Sequence, residues 1–484
     1  MLSGNATASD DDALPERVAA ALAQAELPAE ALGAIAIPLT RWARPRPWQH
    51  RADAAMQPAS TMKLLTAIVA LDRLGPNHRG RTRLLAAGAI EGGRLEGDLV
   101  LEGGADPDLD LAALLHLLFQ LRQRGVSEIA GGIVLDRTLF RPARIDIGVP
   151  PFDEAPEWPY NMIPDALMAA GNLMSLTVSA LDGGAAQARL VPPLEGVELD
   201  ASALTLTDKP CASWEDDWRL PRSHESAPGR WRIALEGGFP RGCEAHATLQ
   251  LLDRDVIIER TVRALWRSLG GGWRKPPGQV REAAVPASAA SAASAAMPIA
   301  QHESRPWGEL LRPMNKRSDN LLARLLFLQL GLAAMAQDTA TPTLELARRE
   351  VERWVDERGI DRRGLVLDNG SGLSRTERIS ARTMASMIRA ALEGRHAPEL
   401  LMSLPVVGVD GTMQRRLAGT PAQGWARLKS GALSNVRAIA GTVRDAHGDT
   451  WVLVAMVNHE QARRAWPVLD ALVQWVASSG ARRR

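Results

Sequence analysis

The chain has 484 residues, 46% hydrophobic and 23% charged, with a formal net charge of +1. That length buries a large core and exceeds what one compact domain usually holds. The near-zero charge argues against nucleic acid or an anionic membrane as partner, and no apolar run reaches the roughly 18 residues needed to cross a bilayer.

The opening segment, MLSGNATASDDDALPERV, lacks the basic and apolar regions of a secretory signal. It reads either as the start of a cytosolic protein or as a mature, exported form with an added Met. An amphipathic helix is predicted over 17–30, a short apolar strand from Ala34 to Leu39, and an irregular approach from Arg51 to Pro58 to a helix from Ser60 to Leu74. From 81 to 250 Gly-rich turns separate short apolar runs such as Leu99-Val100-Leu101 and Ile133-Val134-Leu135. That texture predicts strands with one helix, Leu109 to Arg124. A helix follows from Asp255 to Leu269, then a small-residue linker over 283–298. The remainder predicts helices at Pro306–Arg312, Asp319–Met335, Thr343–Arg358 and Ala381–Leu392, strands at Ala438–Val443 and Thr450–Val457, and a last helix from Glu460 to Val476.

Five lysines (Lys63, Lys209, Lys275, Lys316, Lys429) stand among 57 basic residues, the rest arginine. A lysine in such a chain marks a place where arginine is unsuited, because a desolvated amine can lose its proton and a guanidinium cannot. Ser60-Thr61-Met62-Lys63 opens a helix, where positions i and i+3 share a face. Ser60 by itself reads as a helix cap, but a capping box wants Glu or Gln where Lys63 stands. The helix dipole and burial would instead lower the lysine pKa and make it a base for the serine. Ser318-Asp319-Asn320 at another helix start is ordinary capping chemistry when read alone, and Lys429-Ser430-Gly431 alone is a turn leading into the strand region.

Taken together, S-x-x-K, S-D-N and K-T-G, the last present here as K-S-G, form in this order the motif set of penicillin-binding proteins and class A β-lactamases. PASTMKLLTA, RPMNKRSDNLLA, DNGSGLSR, LPVVGVDGTMQRR and LKSGAL resemble the D-alanyl-D-alanine carboxypeptidase family of the penicillin-binding protein 4 type, class C, peptidase family S13. The resemblance is strong over 55–75 and 305–458 and looser between. It implies an α/β (α+β) fold with a β-lactamase/transpeptidase-like catalytic domain from 1–80 and 251–484, and a strand-rich insert, 81–250, of one or two smaller domains.

The resemblance also implies roles: Ser60 as nucleophile, Lys63 as base, Ser318 and Asn320 as their partners. Lys429, Ser430, Gly431 and Ala432 would bind a terminal carboxylate and complete the oxyanion hole. Arg375, in SGLSR, and Asp136, in LDRTLF, are further substrate-binding candidates. The implied substrates are peptidoglycan stem peptides, with β-lactams as covalent inhibitors, no cofactor and no metal. The substrate places the protein in the periplasm. There Cys211 and Cys243 would form a bridge worth about 3 kcal/mol, whereas in the cytosol they would be buried thiols.

Two residues depart from the family pattern. Ser430 replaces the usual Thr and keeps the hydroxyl; Ala432 stands where many relatives have Thr or Ser and has no hydroxyl to offer the substrate. A class A β-lactamase needs a deacylating Glu near a Leu-Asn pair, and no Leu-Asn dipeptide occurs. The rival readings are a β-lactamase-like or esterase activity on the same fold, or a non-catalytic peptidoglycan-binding scaffold. Neither a G-x-S-x-G elbow nor H-E-x-x-H is present.

Overall fold

The computed structural model of the protein describes residues 13–39, 47–149, 155–181, 184–278, 280–284 and 297–478. The chain divides into two compact units, one running to His78 and resuming at Pro306, the other spanning Arg79–Arg305.

The first unit is built on a five-stranded antiparallel sheet. Its strand order is Arg427–Leu433, Val436–Arg444, Thr450–Asn458, Leu32–Pro38, Trp48–His50. The central strand, TWVLVAMVN, is buried from Trp451 to Val457. It reads as a continuous apolar run because both faces of the sheet are covered. On one face Leu453, Ala455 and Val457 join Ile439 and Val443 in a core with Val18 and Leu22 of helix Glu16–Gln24 and Leu469, Leu472 and Val476 of helix Trp466–Ala477. Helix Ala381–Leu392 packs against strands Leu32–Pro38 and Thr450–Asn458, and against helix Met62–Arg73.

Several boundaries differ from the sequence expectation, each for a local reason. The last helix begins at Trp466 rather than Glu460, where Pro467 can occupy the first turn without losing a hydrogen bond. The long helix expected over Asp319–Met335 breaks into Asn320–Gln329 and Leu332–Met335. At the break is Gly331, where a Cβ would lie 2.5 Å from the Thr343 carbonyl. Lys429-Ser430-Gly431 is not a turn but the middle of strand Arg427–Leu433, with Lys429 opposite Ala440. Helix Ala397–Ser403 and strand Met297–Glu303 were not foreseen. Most of the expected linker, 285–296, lies outside the described residues.

The second unit has two large hydrophobic clusters. One lies under a five-stranded sheet, Val280–Glu282, Ile133–Asp136, Asp98–Gly104, Arg81–Ala87 and Met297–Glu303, and includes Leu114, Leu117 and Leu121 of helix Leu111–Gln123. Helix Arg254–Ser268 adds Ile258, Val262 and Trp266 to the same cluster. The sequence reading placed 251–305 with the catalytic part; this packing assigns it to the second unit instead. Ion pairs reinforce the assignment, the buried Arg254 Nη1 to Asp165 Oδ2 at 2.5 Å and the buried Arg137 Nη1 to the half-buried Asp255 Oδ1 at 2.7 Å. Bridging such groups is favourable only when both partners are held in place, since a lone buried charge is costly.

The second cluster fills two three-stranded sheets and contains Met174, Leu176, Ile233, Phe239 and Cys243. Cys243 is fully buried and joined to Cys211 in a disulfide. Closing a 32-residue loop should stabilise this cluster by about 3–4 kcal/mol through loss of unfolded-state entropy. Denaturant melts of the wild type with and without reductant, and of the double variant Cys211→Ser/Cys243→Ser, should show that loss in the transition of this unit. Superimposable curves would mean that the bridge contributes nothing.

Candidate active site

Ser60 sits in a single 3₁₀ turn, Ala59–Thr61, that runs straight into helix Met62–Arg73. The hydroxyl of Ser60 makes no capping bond, and that of Thr61 turns back to the Pro58 carbonyl at 2.7 Å. Ala59 has φ 47°, in the left-handed region, which costs a non-glycine residue on the order of 1–2 kcal/mol. Two glycines make room for this turn. A Cβ on Gly372 would lie 1.8 Å from the Ala59 carbonyl and 2.8 Å from Ser60 N; one on Gly431 would lie 2.8 Å from the Pro58 carbonyl and 3.0 Å from Ser60 N. Larger side chains at either place would push the nucleophile candidate out of position.

Lys63, one helical turn on, has no exposed surface. Its Nζ lies 3.0 Å from Ser60 Oγ, 2.6 Å from Asn320 Oδ1 and 2.5 Å from the Ser371 carbonyl. Burial pushes this amine down to about 7; Asp319 and Glu377 pull it back up and Arg324 pushes it further down. The partner set has a consequence for proton positions. A neutral amine has two N–H donors and one lone pair, and two of its three neighbours are oxygens that only accept. Only the Ser60 hydroxyl can donate to the lone pair. Loss of the Lys63 proton therefore turns the Ser60 O–H toward nitrogen, the geometry of proton abstraction.

A second serine–lysine couple has the same form. Lys429, also fully buried, has Nζ 2.9 Å from Ser318 Oγ and 2.8 Å from the Ser430 carbonyl. Burial holds its amine well below the ordinary lysine range, with the charge of Lys63 acting in the same direction. An anion bound beside Lys429 would restore its proton. Ser318 has φ 61° and precedes the helix, Asp319 caps it by accepting from Leu322 N at 2.9 Å, and Asn320 is its first residue. The bland capping reading of this motif is thus right for Asp319, while its two neighbours face the lysines.

Strand Arg427–Leu433 is an edge of its sheet. On its open side Leu428 N donates to the Pro405 carbonyl at 2.9 Å. Backbone direction alternates with period two, so Ser430 and Ala432 present their N–H groups to the same side. Ser430 Oγ donates to Thr412 Oγ1 at 2.6 Å. Lys316, close in sequence to Ser318, is paired instead with Asp410 at 2.5 Å.

Residues 369–375 form a loop beside Ser60. Arg375 is exposed at its end, one guanidinium N–H bonded to the Leu373 carbonyl at 3.2 Å. Asp136 belongs to the second unit, at the end of strand Ile133–Asp136. Its carboxylate accepts from Thr138 N at 2.8 Å and Thr138 Oγ1 at 2.6 Å. The sequence reading missed Glu377, Asn369 and Thr412. Glu377 is fully buried and Asn369 nearly so; only the crowding of Gly370 and Gly372 around a lone serine hinted that this loop needs internal support. Among the described residues no cluster of His, Cys, Asp or Glu is arranged to hold a metal, and no helix is long and apolar enough to cross a membrane.

The family model described as D-Ala-D-Ala carboxypeptidase 3 (S13) matches residues 14–479. A D-alanyl-D-alanine carboxypeptidase of Actinomadura sp. (strain R39) is 29% identical over 407 residues, covering 81% of this chain and 71% of that protein. The D-alanyl-D-alanine carboxypeptidase DacB of Haemophilus influenzae is 26% identical over 428 residues, covering 84% and 82%. The crystal structure of penicillin binding protein 4 from Haemophilus influenzae superposes with a TM-score of 0.73 at 23% identity, covering 96% of this chain and 99% of that one. That likeness establishes the fold; a further structure of the Haemophilus protein is a complex with a β-lactam. With its motifs in order on this fold and the match running nearly end to end, the chain belongs to the D-Ala-D-Ala carboxypeptidase 3 (S13) family.

Proposed function

We propose that the chain hydrolyses a D-alanyl peptide bond of peptidoglycan stem peptides through an acyl-enzyme on Ser60. The observation that carries this reading is the fully buried Lys63 amine 3.0 Å from Ser60 Oγ. Lys63 takes the hydroxyl proton as Oγ attacks the carbonyl carbon. The N–H groups of Ser60 and Ala432 receive the oxyanion, and such donors are worth most where water is excluded. The Ser318–Lys429 couple hands a proton to the departing amine. Lys429 and Ser430 receive the terminal carboxylate of the leaving D-alanine, a point charge with a hydroxyl beside it. Asn320 fixes Lys63 and contacts the substrate amide, and water then releases the acyl group. Arg375 is the candidate for a second carboxylate on the stem peptide, and Asp136 is a further substrate-binding candidate.

No Leu-Asn dipeptide supplies the deacylating partner of a class A β-lactamase, so β-lactams should acylate Ser60 and leave slowly. A substrate in peptidoglycan places the enzyme in the periplasm, and the Cys211–Cys243 disulfide supports an oxidising compartment.

Incubation with a stem pentapeptide and with cross-linked muropeptides, followed by mass analysis, should show loss of terminal D-alanine, cleavage of the cross-link, or both. If neither product appears, an esterase or scaffold reading takes over. A fluorescent penicillin should label the wild type and not Ser60→Ala; labelling of Ser60→Ala would place the nucleophile elsewhere. Because the base must be neutral, the acylation rate should rise with pH through about 7 and level off above it. A rate flat from pH 5 to 9 would remove Lys63 from the base role. Lys63→Arg retains the cation but cannot give up a proton, and should lose ~10²–10⁴-fold in acylation rate.

A further inference from the structure

The loop that holds Lys63 is itself held by a group with no assigned part in the reaction. Glu377 has no exposed surface. Its Oε1 accepts from Asn369 N at 3.1 Å and Gly370 N at 2.8 Å, and its Oε2 accepts from Gly372 N at 2.8 Å. Three backbone N–H groups of one short loop are thereby gathered onto one carboxylate. The same loop aims its carbonyls the other way, Gly370 O accepting from Thr66 Oγ1 at 2.7 Å and Ser371 O from Lys63 Nζ at 2.5 Å. Asn369 Oδ1 ties in the Ser371 hydroxyl at 2.6 Å. Gly370 and Gly372 both have positive φ, 73° and 81°, so the loop adopts a conformation open to glycine and needs an external anchor to stay in it.

We propose that Glu377 is a positioning residue for the acylation step: its buried carboxylate clamps the 369–373 backbone, so that the Ser371 carbonyl fixes the Lys63 amine against Ser60, and it lends that amine a negative charge. This rests on the assignment of Ser60 and Lys63 as nucleophile and base. The charged groups acting on Lys63 are Asp319, Glu377 and Arg324, with Lys429 coupled to it; those acting on Glu377 are Asp368 and Lys63, and Asp368 is paired with Arg348 at 2.7 Å. Burial pushes the Glu377 carboxyl up to about 7, with the N–H groups of Gly370 and Gly372 and the Lys63 amine pulling it back.

A glutamine at this position fits the space but has only one accepting oxygen, so at least one loop N–H loses its partner and meets an amide donor. Stopped-flow acylation by a fluorescent penicillin, run across pH on folded protein checked by thermal melting, tests the proposal. For Glu377→Gln the saturating acylation rate should fall about 10–100-fold with the dissociation constant of the initial complex within about twofold, as expected when a base is displaced while the groups that bind the ligand stay in place. The acid limb should move down by about half a pH unit, because Lys63 no longer has that negative charge beside it. A purely structural defect would let water reach Lys63 and move that limb upward. Glu377→Asp, which keeps both oxygens and the charge, should be slowed but keep the wild-type limb, and it carries the test alone if Glu377→Gln does not fold. A wild-type rate in either variant, or an upward shift of the limb in Glu377→Gln, overturns the proposal. Absence of labelling in the wild type would instead defeat the assignment of Ser60, and the role of Glu377 would fall with it.

Discussion

Two lysine amines without exposed surface stand in one site, and the rest of the site answers to their desolvation. An ammonium in this position would lose its hydration shell, a cost of several kcal/mol even after relaxation, and the protein leaves it two ways out. The proton can be given up, which makes the amine a base, or an anion can be drawn in, which makes it a receptor. Lys63, ringed by oxygens that include the Ser60 hydroxyl, is placed for the first. Lys429, beside Ser318 and on an open strand edge, is arranged for the second. On the function proposed above, an arriving carboxylate would supply the charge that burial denies Lys429.

Local backbone strain is the other side of this arrangement. Ala59 and Ser318, the one just before the first serine and the other the second serine itself, both lie in the left-handed region. Such residues persist only where the surroundings over-determine them. For Ala59 those surroundings are two glycine backbones pressed against the turn. For Ser318 they are the capped helix that follows and the Lys429 amine that faces it.

The site was legible in the sequence to the extent that chemistry restricts residue type. Lys63 and Lys429 stood out because lysine is scarce in this chain, and each lay in a short motif with a serine, Ser60 and Ser430. The core was legible in strand Thr450–Asn458, where residues covered on both faces read as an unbroken apolar run from Trp451 to Val457. What escaped were relationships between distant backbone segments. Nothing in LKSGAL says that it is a strand, because an edge strand whose side chains serve a site has no apolar alternation to display. Glu377 gave no signal, since a carboxylate satisfied by main-chain N–H groups needs no partner side chain that a sequence could reveal. The helix Arg254–Ser268 was assigned to the wrong unit for a related reason. Its amphipathic pattern shows that it buries a face, not which core receives it.

The first unit draws its central sheet from both halves of the chain: strand Leu32–Pro38 pairs with Thr450–Asn458, with Ala34 opposite Ala455. During synthesis the Ser60 helix emerges early, but its sheet stays open until the strands beyond Arg427 have followed. The inserted unit, with its own cores, has all its parts in hand long before that. Pairings of such sequence separation are slow to form, because loop closure must precede any gain from pairing. A nascent or truncated chain therefore lacks Lys429 and the edge strand altogether, and hydrolytic competence arrives late and all at once.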